Sequence, residues 1–194
     1  MMNLWNANEN DLTKKTGTKE KFENSGIYEV TIKEAYITHS TKSKAKAITV
    51  SLETEENYGR VNFWFLKGDG TENEFTRATL NRMMYLLKLK PNQLKTESKK
   101  VRNYDGEEVE RVYLLDLEGK SIGIILKVTI EEKQTNFEVK DFFDIKSGKT
   151  SDEILKKTEA YTVEFFRKKY AQEVEEYSNN ETVETTEDDD EFPF

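Results

Sequence analysis

Lys42, Lys44 and Lys46 alternate with small residues in the stretch from His39 to Lys46, which reads H-S-T-K-S-K-A-K. Ammonium groups on an adaptable loop are suited to phosphate oxygens, which they contact without reading any base. Trp64 lies on the opposite parity to Val61, Phe63 and Phe65, so an alternating strand turns its indole away from the core. Tyr36 falls on the same outward side of an earlier strand. Aromatic faces stack on bases, and a basic groove with stacking platforms is what holds single-stranded nucleic acid irrespective of sequence. Lys33 lies on the outward parity of the first strand, and Arg60 and Lys67 flank the strand that carries Trp64. Lys99, Lys100, Arg102 and Tyr104 combine the same two chemistries in a later hairpin. Each feature also has a plainer reading: a solvated loop, a tryptophan packed under the N-terminal arm or terminal helix, a solvated hairpin. The residues alone leave both readings open.

Other chemistries lack their residues. There is no cysteine, which excludes disulfides, thiolate catalysis and Cys-based zinc sites. The single histidine, His39, excludes mechanisms that need two imidazoles and can add at most a hydrogen bond. Ser147-Gly148-Lys149-Thr150 imitates the end of a phosphate-binding P-loop, but Phe143 stands where that motif needs its first glycine. Asp188 to Glu191 can attract divalent cations only weakly, because nothing fixes a coordination geometry. No carboxylate pair comes with a nucleophile or base placed by a motif. The expectation is a binding protein, not an enzyme, without cofactor or metal.

The elements that position these residues follow from hydrophobic periodicity. Gly26 opens a first strand in which Tyr28, Val30 and Ile32 share one face. The apolar parity then switches to Ala35 and Ile37, which predicts a bulge near Glu34. Ile48, Val50 and Leu52 face inward on a second strand, and Val61, Phe63 and Phe65 on a third that starts at Gly59. Thr71 to Glu74 has the form of a capping box before a helix with the stripe Leu80, Met83, Met84 and Leu87, stopped by Pro91. A hairpin from Lys99 to Leu115 turns at Asp105-Gly106. Ile122, Ile124, Leu126, Val128 and Ile130 form a fourth strand, and Phe137, Val139 and Phe143 a fifth. A second capping box, Thr150 to Glu153, precedes a terminal helix with the stripe Val163, Phe166, Tyr170, Val174 and Tyr177. That stripe packs either on the sheet or on a second subunit, so a homodimer is open. Three strands, a helix, an inserted hairpin, two strands and a terminal helix match an all-β core with added helices. The specific expectation is a five-stranded OB-fold barrel with the helix between strands three and four. The boundaries expected are an N-terminal arm at 1–25, in which Trp5 and Phe22 anchor the chain unless Trp5 touches a ligand, the barrel at 26–147, the helix at 150–177 and a disordered acidic tail at 178–194.

Composition qualifies this picture. The 194 residues are 35% charged and 35% hydrophobic, with a net charge of -8. Ala171 to Phe194 holds ten acidic residues and no lysine or arginine, so the other 170 residues carry 30 basic and 28 acidic groups. The acidity that would argue against nucleic acid is therefore confined to the C-terminal stretch. No apolar run of about 18 residues crosses a membrane, and Met1 to Phe22 has no apolar signal core. Together with the lack of cysteine this predicts a cytoplasmic protein.

The chain ends Asp188, Asp189, Asp190, Glu191, Phe192, Pro193, Phe194. Solubility explains the acids but not two phenylalanines around a proline at a free carboxylate. The design is that of a peptide ligand, with phenylalanine for a pocket, the carboxylate for a cation and the acids for steering. This ending resembles the acidic tip of bacterial and phage single-stranded DNA-binding proteins, with Phe192 where those proteins often have Ile. More loosely, Gly26 to Ile32 and the pair Gly119-Lys120 resemble phage replication-module proteins. The resemblance implies sequence-independent binding and protection of single-stranded DNA in the host cytoplasm during phage replication or recombination. It also implies a tip that recruits replication or recombination proteins and competes with DNA for the binding face. Two rivals stay open: an interaction module that mimics a host tip, and a strand-annealing or recombination mediator.

Overall fold

The structure is a computed structural model and describes residues 19–102, 106–131 and 134–183, with helix side chains as far as Glu173. Eight strands appear in chain order: β1 (Glu20–Lys21), β2 (Gly26–His39), β3 (Lys46–Glu53), β4 (Asn57–Leu66), β5 (Thr96–Arg102), β6 (Glu108–Leu114), β7 (Ser121–Glu131) and β8 (Gln134–Phe143). Helix α1 (Glu74–Leu86) lies between β4 and β5, and α2 (Ser151–Lys156) and α3 (Thr162–Val183) follow β8. The molecule is mostly β-sheet with a few helices, as the sequence predicts at that level.

The strands run β1-β4-β3-β2-β6-β5, with β7 joined to β2 and β8 to β7. β2 is the hub. Its first half pairs with β7 from Gly26 to Thr31, its second half meets β6 at Tyr36 and Ile37, and its other edge pairs with β3. The register shifts between Ile32 and Glu34, leaving Lys33 as the bulged residue. The extra residue reverses the alternation, so Val30, Ile32 and Ala35 all enter the core. The core joins them to Val50, Leu52, Phe63, Ile122, Ile124 and Phe142.

β4 and β8 approach each other through Phe63 and Phe142, whose ring centroids are 6.0 Å apart. No ladder joins the two strands among the described residues, so the sheet is open where a closed barrel was expected. α1 packs on both strands, and its Leu80, Met83 and Met84 complete the core there. A second cluster lies on the outer side of the sheet. Val163, Phe166 and Tyr170 of α3 pack on Ile125 and Phe143, with Ile27 beside them. The terminal stripe thus packs on the sheet as far as Tyr170; the side chains of Val174 and Tyr177 lie outside the described ones. At Gly123 a methyl group would come within 2.3 Å of the Phe143 ring, so only glycine fits beneath this cluster.

Several local expectations need correction. Part of the presumed arm is built into the sheet, because β1 pairs in parallel with β4, while Phe22 anchors it as expected, 1% exposed against Tyr28 and Phe137. Gly59 admits that ring, since a methyl there would lie 2.8 Å from it. A two-residue strand has no periodicity to detect. Trp5 lies outside the described residues. The cap of α1 is Asn73, which accepts from the Thr76 amide, while Thr71 bonds Asp69 instead. α1 ends at Leu86, with Leu87 as its C-cap and Lys88 in the left-handed region (φ 57), before Pro91 is reached. The hairpin's last pair is Arg102 with Glu108, so its connection, 103–107, is longer than two residues. α3 continues to Val183, past the expected boundary at 177, and the added stretch 178–183 contains neither Gly nor Pro to stop it.

The capping box at Thr150 and Glu153 forms as expected. Glu153 also accepts from the amides of Tyr161 and Thr162 and from the Thr162 hydroxyl, so one carboxylate caps α2 and α3 together. Burial alone would raise its pKa. The donors, led by the Thr162 and Thr150 amides, outweigh burial and hold it at about 2. Among the described residues no helix is long and apolar enough to cross a membrane.

Candidate nucleic-acid interface

Beyond the bulge, β2 turns Glu34, Tyr36 and Thr38 away from the core. The register sets Tyr36 beside Thr49 of β3 and Tyr113 of β6, and Thr49 beside Asn62 of β4. Directly paired residues share a face, so one outward surface crosses β4, β3, β2, β6 and β5. α3 covers only the outer side of the first half of β2, with β7 and β8.

Trp64 lies on this surface, 38% exposed. Its partner across the ladder is Ala47, whose small side chain leaves room at the indole. The Thr38 and Thr49 hydroxyls bond at 2.5 Å, and Thr49 donates to Asn62 Oδ1 at 2.7 Å, so a polar chain ties three strands beneath the surface.

Tyr36 is outward, as predicted, but it is not an open platform. Its ring is 4% exposed, with Tyr113 at 5.5 Å and the Arg111 guanidinium 4.6 Å from its centroid. Lys99 in turn lies 5.3 Å over Tyr113. Two adjoining rings are thus flanked by two cations, in the order Arg111, Tyr36, Tyr113 and Lys99, and the outer two contacts are favourable through the ring quadrupole. Arg111 and Tyr113 were missed in the sequence. The signal was there: they alternate with Val112 and Leu114, the period of a strand with two different faces.

The lysine loop closes the end of the surface nearest Trp64. Lys42 and Lys44 are exposed, and Lys46 pairs with Leu66 one step from the Ala47–Trp64 pair. The Lys44 amide donates to the Gly68 carbonyl at 3.1 Å, which brings the loop against the turn that follows Lys67. Gly70 (φ +90) makes that approach possible; a methyl there would press on the Lys44 side chain at 3.3 Å. Lys42, Lys44, Lys46 and Lys67 therefore converge. Asp69 sits in the same turn, and the Thr71 hydroxyl and then its amide hold that carboxyl below the usual range.

The remaining predicted cations do not join this group. Arg60 reaches Glu34 at 3.6 Å, and Ser51 also donates to that carboxylate. Lys33 lies 3.8 Å from Glu53. Both stand toward the far end of β4 and the bulge, where charges are already matched. Lys99 faces the surface but pairs with Glu97 at 2.9 Å, a hydrogen bond that raises its pKa. Lys100 and Arg102 alternate with Lys99 and so occupy the reverse side of β5, where Lys100 pairs with Glu108 at 2.9 Å. Tyr104 and the tip, Asp188 to Phe194, lie outside the described residues. His39 is exposed at the end of β2.

Away from this surface, the P-loop look-alike is a capped turn. The Asp144 carboxylate accepts from the Ser147 amide and hydroxyl, and Thr150 starts α2. Among the described residues no group of three or more His, Asp or Glu side chains is placed to hold a metal. No protein-family model matches the chain, and no curated protein matches it.

Proposed function

We propose that this protein binds single-stranded DNA on the outward surface of β4, β3, β2, β6 and β5, as a single-stranded DNA-binding protein of the bacterial and phage type. One observation carries the reading: exposed Trp64 lies beside a convergent group of lysines, Lys42, Lys44, Lys46 and Lys67, that form no salt bridge among the described residues, although Asp69 lies close enough to Lys67 to feel its charge. A strand laid there would stack a base on Trp64 while its phosphates meet the lysines. Arg111 and Tyr113 would extend the track toward the hairpin. Nothing in this arrangement reads base edges, so binding would be independent of sequence.

The connectivity supports an OB-type architecture. A bulged first strand joins a three-strand meander to a β7–β8 hairpin, and a helix plugs the gap between β4 and β8. Phe192 and Phe194 in the acidic tip would recruit replication or recombination proteins.

Tryptophan fluorescence during titration with an unstructured thymidine oligonucleotide tests the reading. Quenching that is lost in Trp64→Ala, with Trp5 still present, supports it. A flat titration at low salt overturns it in favour of a protein-interaction module.

A further inference from the structure

The first turns of α3 carry a second exposed surface, distinct from the sheet face. Tyr161 is 70% and Phe165 46% exposed, their rings stacked at 6.0 Å. They line a groove of about 320 Å³ together with Glu164, Lys168, Lys169 and Gln172. Glu164 is engaged by Arg167, and Lys169 lies 3.9 Å from Glu173. Lys168 has no carboxylate partner among the described residues. The groove is therefore aromatic with a basic rim. Two exposed aromatic rings of this size are costly to leave in water.

The same chain carries the complementary chemistry at 188–194: four consecutive acids, then Phe192, Pro193 and Phe194. Phenylalanine rings suit the Tyr161–Phe165 wall, and the acids suit Lys168 and Lys169. The remaining question is whose tip it is. From Val183 back to Phe165 is about 27 Å of helix. The segment 184–194 spans at most about 36–40 Å when extended. A chain's own tip would thus have to return nearly straight along α3, past Glu173, Glu175, Glu176 and Glu181. That path sets acid against acid. A second molecule reaches the groove without it.

We infer that the groove on α3 seats the C-terminal segment Asp188–Phe194 of a second copy of this chain. The contact is head-to-tail: each molecule offers one tip and one groove, so association propagates from copy to copy unless a ring closes. It does not rest on the nucleic-acid reading, and a failed DNA titration leaves it untouched.

Complementation between full-length variants tests it, with mass read by sedimentation. The wild-type mass rises with protein concentration up to about 100 µM and falls again with added salt. Phe165→Ser, which spoils the groove, and Phe192→Ser/Phe194→Ser, which spoils the tip, are each monomeric alone. Mixed, they form a one-to-one complex, because one retains a tip and the other a groove. Lys168→Glu repeats the groove defect by charge, and both groove substitutions are at exposed positions that the fold tolerates. The inference is overturned by a wild-type chain that stays monomeric. Association that survives either variant, or two monomeric variants that do not combine, overturns it equally.

Discussion

Salt dependence is the sharpest test of the DNA surface, because the structure sorts its cations. Lys33, Arg60, Lys99 and Lys100 are already matched to Glu53, Glu34, Glu97 and Glu108. Lys42, Lys44, Lys46, Lys67 and Arg111 form no salt bridge among the described residues, although a carboxylate, Asp69, acts on Lys67 from its own turn. If those five meet phosphates, log K against log salt has a slope of about -3.5, at about -0.7 per contact on a single strand. Raising salt from about 50 to 200 mM then weakens binding about 100-fold. Lys42→Gln/Lys44→Gln removes two contacts, lowers the slope to about -2.1 and cuts the loss to about 20-fold. Both side chains are exposed, so the thermal midpoint should not move. Titrations of a labelled thymidine oligonucleotide at four or five salt concentrations give the slopes for both proteins. A double variant with the wild-type slope refutes the placement of the lysine loop on the phosphates. A wild-type slope near zero refutes the surface as a whole.

Further outcomes follow from single residues. Trp64→Ala should weaken oligonucleotide binding about 5- to 150-fold, from about 1–3 kcal/mol of stacking, with an unchanged melting temperature. A change under about twofold would remove Trp64 from the site. Glu153 has a pKa of about 2 in the fold and an ordinary value of 4.5, so its contribution is complete above pH 4.5 and is lost as pH falls toward 2. The shift corresponds to about 2–3 kcal/mol, taken below its full value because the cap lies near the surface. In urea titrations the wild type should lose that much stability relative to Glu153→Gln between pH 6 and pH 2.5, and parallel pH profiles would refute the shared cap. The Tyr170 hydroxyl is buried without a partner among the described residues, and burial, with Glu173 and Glu138 nearby, pushes its pKa to about 12. Tyr170→Phe should therefore leave stability unchanged or raise it by up to about 1 kcal/mol, whereas a clear loss would reveal a partner.

Much of the scaffold was legible because it is written in local periodicity. The switch from Val30 and Ile32 to Ala35 marked the bulge at Lys33, the inward rows of β3 and β4 were plain, and Thr150-x-x-Glu153 announced α2. The outward parity of Trp64 and Tyr36 followed from the same alternation, as did the spacing of the lysine loop. What alternation cannot report is what lies across a ladder or comes from a distant segment. Whether a side chain that points outward is open depends on its neighbours: Trp64 faces Ala47 and stays exposed, while Tyr36 faces Tyr113 and lies under Arg111. Whether a cation is available depends on which carboxylate the register sets beside it, and this separated Lys44 from Arg60. Phe22 entered the core through a two-residue parallel pairing that leaves no pattern, and the Gly68–Gly70 turn met the lysine loop only because the fold brings two chain reversals together. Local sequence determined which residues face outward. The pairing of distant strands decided which of them are covered, neutralised or left free to bind.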